Sequence, residues 1–189
     1  MPPKAKITKA MILDTVLNIT KETGFETVNA RSIAGKLQCS TRPIFTCYEN
    51  MDELKKEFLE FAYEHYEQYV IDYQKSQKTD FSLLLPLSYI EFAKSEPYLF
   101  KLLFMNDMDM NLTETKDFYK ESGNEEKAKY FSNHIGVEFE YGKEIFLDLF
   151  LYSHGIAVLT ATEKLSLDIT TVEKMLSHFL TAFTERLKL

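Results

Sequence analysis

Apolar residues recur at intervals of three and four along most of this chain, which is the spacing of one face of an α-helix. No stretch shows the alternating pattern of a half-buried strand, so we expect an all-α fold. The pattern predicts about nine helices, over about residues 8–23, 30–37, 41–48, 51–74, 81–94, 97–104, 127–140, 142–165 and 169–187. Pro86 falls inside the fifth of these and predicts a kink or a late start. Residues 105–126 are polar and acidic, and we expect a loop with at most one short helix there.

The most informative stretch is the second and third predicted helices with the polar turn that joins them. Asn29 is a candidate cap for the first of the two, and Ser40 or Thr41 for the second. The second helix exposes Thr41, Arg42 and Thr46, which offer hydroxyls and one cation but no carboxylate. A helix that enters the major groove of DNA needs such a surface, because nothing on it repels phosphate. A helical hairpin in an ordinary core is the alternative, and spacing alone favours neither.

A longer series of residues around these helices decides between the two interpretations. The series is Gly24-Phe25, Asn29, Ile33-Ala34, Cys39-Ser40, Ile44-Phe45, Tyr48 and Asn50-Met51-Asp52-Glu53-Leu54. In this order it resembles the DNA-binding domain of the TetR family of transcriptional regulators, over residues 7–56. The rest of the chain is similar to that family only in helical texture and length. The resemblance implies a three-helix helix-turn-helix head (residues 1–50) joined to a helical effector-binding and dimerisation body (residues 51–189).

Two positions depart from the family pattern, and both departures concern contacts with phosphate. Phe45 stands where the family commonly has a tyrosine whose hydroxyl meets a phosphate, and Met51 stands where a lysine is common. Phosphate anchoring in this chain must therefore rely on other groups or be weaker. The residues expected at a DNA interface are Lys4, Lys6, Asn29, Arg31, Ser40, Thr41, Arg42, Phe45, Thr46, Tyr48 and Lys55.

The distribution of charge agrees with this interpretation, although the chain as a whole is acidic. Residues 1–56 hold nine basic and six acidic side chains, a net charge of +3, which leaves −10 for the rest of a chain whose total is −7. A basic head attached to an acidic body is expected to turn its head toward a duplex. Chance asymmetry in a short segment is the alternative.

The last two predicted helices each carry apolar residues on more than one side. Such a helix has more surface to bury than a small body can cover, which favours contact with a second copy of the chain. The family resemblance implies a four-helix dimer interface here, and a two-fold protein that reads a palindrome needs a fixed spacing between its reading helices. An intramolecular core is the alternative. The expected interface residues are Ile145, Leu149, Ile156, Leu159, Val172, Leu176, Phe179 and Phe183.

The body is also rich in aromatic residues, since the chain has 15 Phe and 11 Tyr but no Trp. Aromatic and methionine side chains form adaptable apolar walls, although most of them must simply be core. The resemblance implies a small apolar or amphipathic effector held between helices of the body. Candidate contacts are Tyr66, Phe92, Phe104, Phe131, Tyr152 and His154.

The sequence contains no pattern typical of an enzyme, such as GxSxG, a phosphate-binding glycine loop or HExxH, and its four histidines are widely spaced. We therefore expect no catalysis, no cofactor and no metal. Cys39 and Cys47 are expected to be reduced thiols. The N-terminus lacks an apolar signal segment, and the apolar run over residues 145–161 is short and holds polar residues, which together predict a cytoplasmic protein.

These observations predict a ligand-responsive transcriptional regulator, expected to be a repressor. It would bind a palindromic operator as a homodimer and be released by a small apolar or amphipathic effector. The alternative is a helical protein–protein adaptor, or a partner-controlled regulator of the same fold without a small-molecule effector. Phe45, Met51 and the small charge of the head favour the alternative, whereas Thr41, Arg42 and Thr46 favour the regulator.

Overall fold

The computed structural model of the chain describes residues 6–76, 79–106, 112–121 and 123–185, and all regular structure in that part is helical. The α-helices are α1 (Lys9–Thr23), α2 (Ala30–Lys36), α3 (Arg42–Cys47), α4 (Met51–Ser76), α5 (Phe81–Ser95), α6 (Pro97–Lys101), α7 (Asn124–Ile135), α8 (Phe139–Ala161) and α9 (Ile169–Glu185). Two 3-10 turns (Phe25–Thr27 and Thr115–Lys120) and a π-helical turn (Leu102–Asn106) complete the secondary structure of these residues. The prediction of an all-α fold is confirmed.

Most helix ends follow the capping residues that the sequence offers. The side chain of Thr8 accepts a hydrogen bond from the amide of Met11 and starts α1, and that of Asn50 accepts one from the amide of Glu53 in α4. Gly24 ends α1 with φ at +88°, a conformation that a residue with a side chain rarely adopts.

Two details of the predicted helices differ in the structure. The break predicted at residue 141 between the seventh and eighth helices lies at residues 136–138, because Gly136 ends α7 with φ at +73° and the carboxylate of Glu138 accepts hydrogen bonds from two amides in the first turn of α8. Of the two alternatives predicted from Pro86, a kink or a late start, the late start is not found, since α5 begins at Phe81 and continues through the proline.

The chain divides into two compact units, which are described separately. Unit 1 comprises Met1–Gln68 and Glu96–Asp107, and unit 2 comprises Tyr69–Ser95 and Met108–Leu189. Helix α4 contributes residues to both. The functional division at residues 50 and 51 stays a prediction.

In unit 1, α1 supplies one wall of the core and the short helices α2 and α3 supply another. The rings of Phe25 and Phe58 stack with their centres 5.5 Å apart. Ion pairs tie α1 to its neighbours, as Lys9 meets Glu57 of α4 and Lys21 meets Glu96, both at 2.5 Å. The fully or almost fully buried apolar residues of this core are Ile12, Val16, Ile19, Ile33, Ile44, Tyr48, Leu54, Phe58, Ala62, Leu99 and Phe100.

Unit 2 is built around α5 and α8, which pack on each other and on α7 and α9. Helix α5 is buried along most of its length, from Ser82 to Ala93, because helices cover it on several sides. Helix α8 is long and apolar enough to cross a membrane by length and composition, but it is partly buried in this unit, and a core helix of a soluble protein passes the same test.

Candidate functional site

The first turn of α2 is fixed by a reciprocal pair of side-chain hydrogen bonds. The Oδ1 atom of Asn29 accepts from the amides of Arg31 and Ser32, both at 3.0 Å, and the hydroxyl of Ser32 accepts from the amide of Asn29 at 2.9 Å. This capping box satisfies amides that would otherwise lack partners at the helix start. Asn29 therefore caps α2 as predicted, and its amide nitrogen, which donates to Thr27, lies at the surface.

The turn between α2 and α3 is equally well defined. Gln38 has φ at +51°, and its amide donates to the carbonyl of Gly35 at 3.2 Å, while the amide of Cys39 donates to that of Ala34 at 3.0 Å. Two such bonds closing the end of a helix form the Schellman arrangement. Because main-chain hydrogen bonds fix the conformation of this turn, the main chain sets the direction of α3 relative to α2.

Helix α3 has one buried and one exposed face. Ile44 is fully buried, whereas Arg42, Phe45 and Thr46 are exposed on the other side. The hydroxyl of Thr46 donates to the carbonyl of Arg42 at 3.0 Å. Its proton is therefore used within the helix, and its methyl group and oxygen lone pairs are what it offers to a partner.

The cations near α2 and α3 fall into two groups. Lys36 pairs with Glu22 at 2.7 Å, and the ammonium of Lys55 lies 5.7 Å from the ring centre of Phe25. In contrast, neither Arg31 nor Arg42 makes an ion pair within the described ranges, and both are exposed. The guanidinium groups of these two arginines can donate hydrogen bonds to a phosphate or a base edge without first breaking an ion pair within the protein.

Most of the residues predicted at a DNA interface lie at the surface of unit 1. Thr41 and Lys55 are half-buried, and Lys4 lies outside the described residues. The exposed members of the set are Lys6, Asn29, Arg31, Ser40, Arg42, Phe45 and Thr46.

Tyr48 is a correction to that set. Its side chain is only 2 % exposed, so it belongs to the core of unit 1 and cannot contact a duplex. Burial also raises the pKa of its phenol, and the ammonium of Lys9 lies 4.6 Å from its ring centre. The residue serves to hold α3 against the unit.

Unit 2 contains a cavity of about 310 Å³ with predominantly aromatic and aliphatic walls. Helices α5, α7 and α8 and the end of α4 supply its lining. A pocket of this volume and character is typical of a small-molecule site. The lining residues are Gln74, Phe81, Ser82, Leu85, Pro86, Glu126, Lys127, Tyr130, Phe131, Phe146 and Leu149.

The wall between α5 and α7 is an aromatic cluster. Phe81 meets Tyr130 edge-on at 4.8 Å between ring centres and lies 5.1 Å from the ring of His134. Nε2 of His134 is 3.6 Å from the carboxylate of Asp80, which also accepts from the hydroxyl and the amide of Ser82. The hydroxyl of Ser82 is the main reason why the pKa of Asp80 is lowered.

Of the six predicted effector contacts, only Phe131 lines this cavity. In unit 2, Phe92 meets Tyr69 edge-on at 5.1 Å, and Tyr152 stacks on Phe179 at 5.1 Å. In unit 1, the rings of Tyr66 and Phe104 meet edge-on at 4.9 Å.

His154 is also absent from the lining. Its Nδ1 lies 2.9 Å from the hydroxyl of Tyr89, and burial lowers its pKa. The prediction missed Phe81, Tyr130 and Phe146, since aromatic residues are equally common in ordinary cores. Pro86 lines the cavity, and it is the one residue that interrupts the helical pattern of the fifth predicted helix. This interruption was the sequence signal available for the position of the cavity.

The set predicted for a dimer interface needs a larger correction. Phe179 and Phe183 are half-buried, and Leu159 is 46 % exposed. The others are enclosed within unit 2 of a single chain, because α5 packs on both α8 and α9, α7 packs on α8, and α8 and α9 pack on each other. These buried residues are Ile145, Leu149, Ile156, Val172 and Leu176.

The prediction named Leu159 but missed the rest of the exposed face of α8. Leu151 is 51 % exposed, Leu159 follows it two turns later, and Gly155 lies between them with no atom within 4 Å of where a Cβ would stand. An i, i+4, i+8 spacing identifies this face. Apart from Leu159, the residues predicted on α8 lie on the neighbouring stripe, because both stripes are apolar.

No protein-family model matches this chain, and no curated protein is significantly similar to it. Within the described residues, no group of three or more His, Cys, Asp and Glu side chains could hold a metal ion.

Proposed function

We propose that this chain is a transcriptional regulator of the TetR type, in which α2 and α3 form a helix-turn-helix and α3 lies in the major groove. The observation that carries the proposal is the division of α3 into a buried face anchored by Ile44 and an exposed face with Arg42 and Thr46. The exposed face carries a guanidinium that is not in an ion pair within the described ranges. Such a group can bond a guanine edge or a phosphate.

The proposal includes a homodimer that reads two half-sites. Its support is the exposed apolar face of α8 formed by Leu151, Gly155 and Leu159, which we call the α8 face. Leucines exposed at this spacing are costly to leave in water, and a glycine between them lets a second helix approach closely. Two copies joined through the α8 faces would bring two α3 helices into one assembly, as a palindrome of two half-sites requires.

The proposal also includes a small, largely apolar effector in the cavity of unit 2, which releases the operator. The lining supplies several aromatic rings, one amide at Gln74 and the oppositely charged Glu126 and Lys127. A balanced lining favours a neutral ligand over a strongly charged one. Release requires the effector to bind one conformation of the protein better than the other, because equal affinity would shift nothing.

A helical protein–protein adaptor is the second candidate, and one observation favours it. Phe45 is 50 % exposed on the same face of α3 as Arg42. Exposed aromatic residues and arginines are both enriched where proteins bind other proteins. In that case α3 would contact a protein partner, and the cavity would need no effector.

The test is selection from a random duplex library with the purified chain. The regulator predicts enrichment of an inverted repeat whose half-sites are about one helical turn apart or a multiple of it. Arg42→Ala should enrich the repeat poorly, whereas Glu125→Ala, which changes a charged residue in unit 2, is the matched control and should enrich it as the wild type does. If no inverted repeat is enriched at low salt, the adaptor becomes the better description.

A further inference from the structure

Phe45 is the exposed residue of α3 for which the proposed DNA binding has so far supplied no role. Its ring is 50 % exposed, and no other ring or cation of the described residues stacks on it. A phenyl ring has no hydrogen-bonding group, so it can bond neither a phosphate nor the polar edge of a base. Its available chemistry is apolar contact.

The neighbours of Phe45 restrict where such contact can occur. Arg42 precedes it by three residues and Thr46 follows it, and all three are exposed on one face of the helix. The hydroxyl proton of Thr46 is donated to the carbonyl of Arg42, so the methyl group of Thr46 adds to the apolar surface beside the ring. Glu49 is also exposed but lies beyond the end of α3 at Cys47.

The major groove presents one exposed apolar group, the C5 methyl of thymine. We infer that the ring of Phe45 packs on a thymine methyl in the operator and is a specificity-determining residue. Three residues of α-helix rise about 4.5 Å and successive base pairs lie about 3.4 Å apart, so this thymine should lie one or two base pairs from the base read by Arg42. The inference rests on the proposed DNA binding.

The experiment removes the methyl group from the DNA instead of the ring from the protein. In the selected duplex, each thymine of a half-site is replaced in turn by uracil, which pairs identically but lacks the C5 methyl. Affinity is measured by fluorescence anisotropy at fixed salt for the wild type, Phe45→Ala and Phe45→Tyr. Phe45→Tyr keeps the ring and is the matched control.

For the wild type, one position should show a loss of about fourfold on replacement by uracil, as expected for one methyl group returned to water. The loss should persist in Phe45→Tyr and be absent in Phe45→Ala. A purely structural role for Phe45 would instead weaken binding of Phe45→Ala to every duplex and leave its uracil penalty equal to that of the wild type.

The outcomes separate the two proposals. Equal uracil penalties in the wild type and Phe45→Ala, or a selected half-site without thymine at that distance, would overturn the inference and leave DNA binding intact. Failure to enrich any duplex would overturn the proposed function and this inference together. Circular dichroism and the thermal midpoint of Phe45→Ala should match the wild type, because the ring is half exposed.

Discussion

Gly142 of α8 lies against Ser132 of α7 so closely that a Cβ on the glycine would stand 1.9 Å from the serine Oγ and 2.5 Å from its Cβ. Both residues are buried, and the serine hydroxyl donates to the carbonyl of Ala128 at 2.7 Å. The backbone of Ser132 is also near, with its Cα 3.2 Å from the same point. The approach of α7 to α8, and so one wall of the cavity, depends on the absence of a side chain at position 142.

Gly142→Ala should therefore destabilise the protein by about 1–3 kcal/mol, because an added methyl group in a packed core forces its neighbours to move. Gly35→Ala is the matched control, since Gly35 also lies within a helix, α2, and nothing lies within 4 Å of its Cβ position. That change should be neutral or stabilise by up to about 1 kcal/mol through helix propensity. Thermal and urea unfolding of the two variants measures the difference.

A double variant tests whether Ser132 is the cause. Ser132→Gly removes both the Oγ and the Cβ that a methyl group at position 142 would meet, at the cost of its own hydrogen bond and of helix propensity. The double variant should be less destabilised than the two single changes added together. If the free-energy changes of the two single variants simply add in the double variant, Ser132 is not the group that the added methyl group displaces.

The helices were predicted mainly from short-range sequence features such as caps and apolar spacing. The prediction failed where one stretch of sequence was compatible with more than one helix boundary or packing arrangement. Asn29 caps α2 as expected, because a cap acts on its own next few residues. The break between α7 and α8 was predicted about four residues too late, since Gly136 lies within an otherwise helical pattern. The closeness of Gly142 to Ser132 depends on the packing of two helices and has no signal in either one alone.

Some of the candidate functional residues could be predicted from the sequence, and others could not. The exposed face of α3 was identified because a short helix has one buried stripe and the rest is exposed. On α8, apolar residues lie on several sides, so periodicity could not tell the core stripe of Ile145 and Leu149 from the exposed Leu151 and Leu159. The cavity could not be located either, since it depends on how tightly three helices fill the space between them.

Arg42 and Lys6 should contribute to DNA binding in different ways. Arg42→Ala should cost about 1–3 kcal/mol on the selected operator and much less on unrelated duplexes, because a guanidinium on a base edge supplies specificity. Lys6→Ala should weaken binding to all sequences by a similar factor and reduce the slope of log affinity against log salt by about one. Titrations at four salt concentrations on specific and scrambled duplexes separate the two. Equal losses on both duplexes for Arg42→Ala would show that it contacts only phosphate.

A charge on the α8 face should disrupt the dimer without unfolding the chain. Leu151→Glu should give a monomer in sedimentation at micromolar concentration and abolish binding to the inverted repeat. The monomer should keep the helical circular dichroism of the wild type, because the side chain is 51 % exposed within one chain. Phe179→Glu is a less selective probe, since it also breaks the stack with Tyr152.

The matched control for Leu151→Glu is Ile71→Glu, which alters a comparably exposed apolar residue of α4 and should leave the dimer intact. A wild-type chain that sediments as a monomer at micromolar concentration would contradict the proposed dimer. A Leu151→Glu chain that stays dimeric would move the interface away from the α8 face.

Tyr130 should matter for the effector more than for stability. It lines the cavity and meets Phe81 edge-on, yet it is 59 % exposed, so Tyr130→Ala removes wall surface at little cost to folding. A neutral apolar compound that raises the thermal midpoint of the wild type should raise that of Tyr130→Ala less, while operator affinity without effector stays the same. Tyr98→Ala, at an exposed tyrosine in unit 1, is the control. If no compound in a broad thermal-shift screen stabilises the wild type, the effector proposal fails.

The protein should lose stability on mild acidification, and His154 should be one cause. Burial lowers the pKa of His154 from its ordinary value of 6.5. The unfolded chain therefore binds a proton at a higher pH than the folded chain does, and the free energy of unfolding falls as the pH drops below about 6.5. The carboxylates of Asp80 and Asp168 do not account for a loss in this range, because their pKa values are lowered from 3.8 and their contribution is lost only at lower pH.

His154→Gln should flatten the decline of the thermal midpoint between pH 7 and about pH 5, since glutamine does not titrate there. Tyr89→Phe is the informative control. It removes the hydroxyl 2.9 Å from Nδ1 but leaves the ring of His154 buried, so the decline should persist. His65, whose pKa is also lowered chiefly by burial, should account for part of the slope that remains in His154→Gln. An undiminished slope in the double variant His65→Gln/His154→Gln would show that the acid sensitivity arises from other groups.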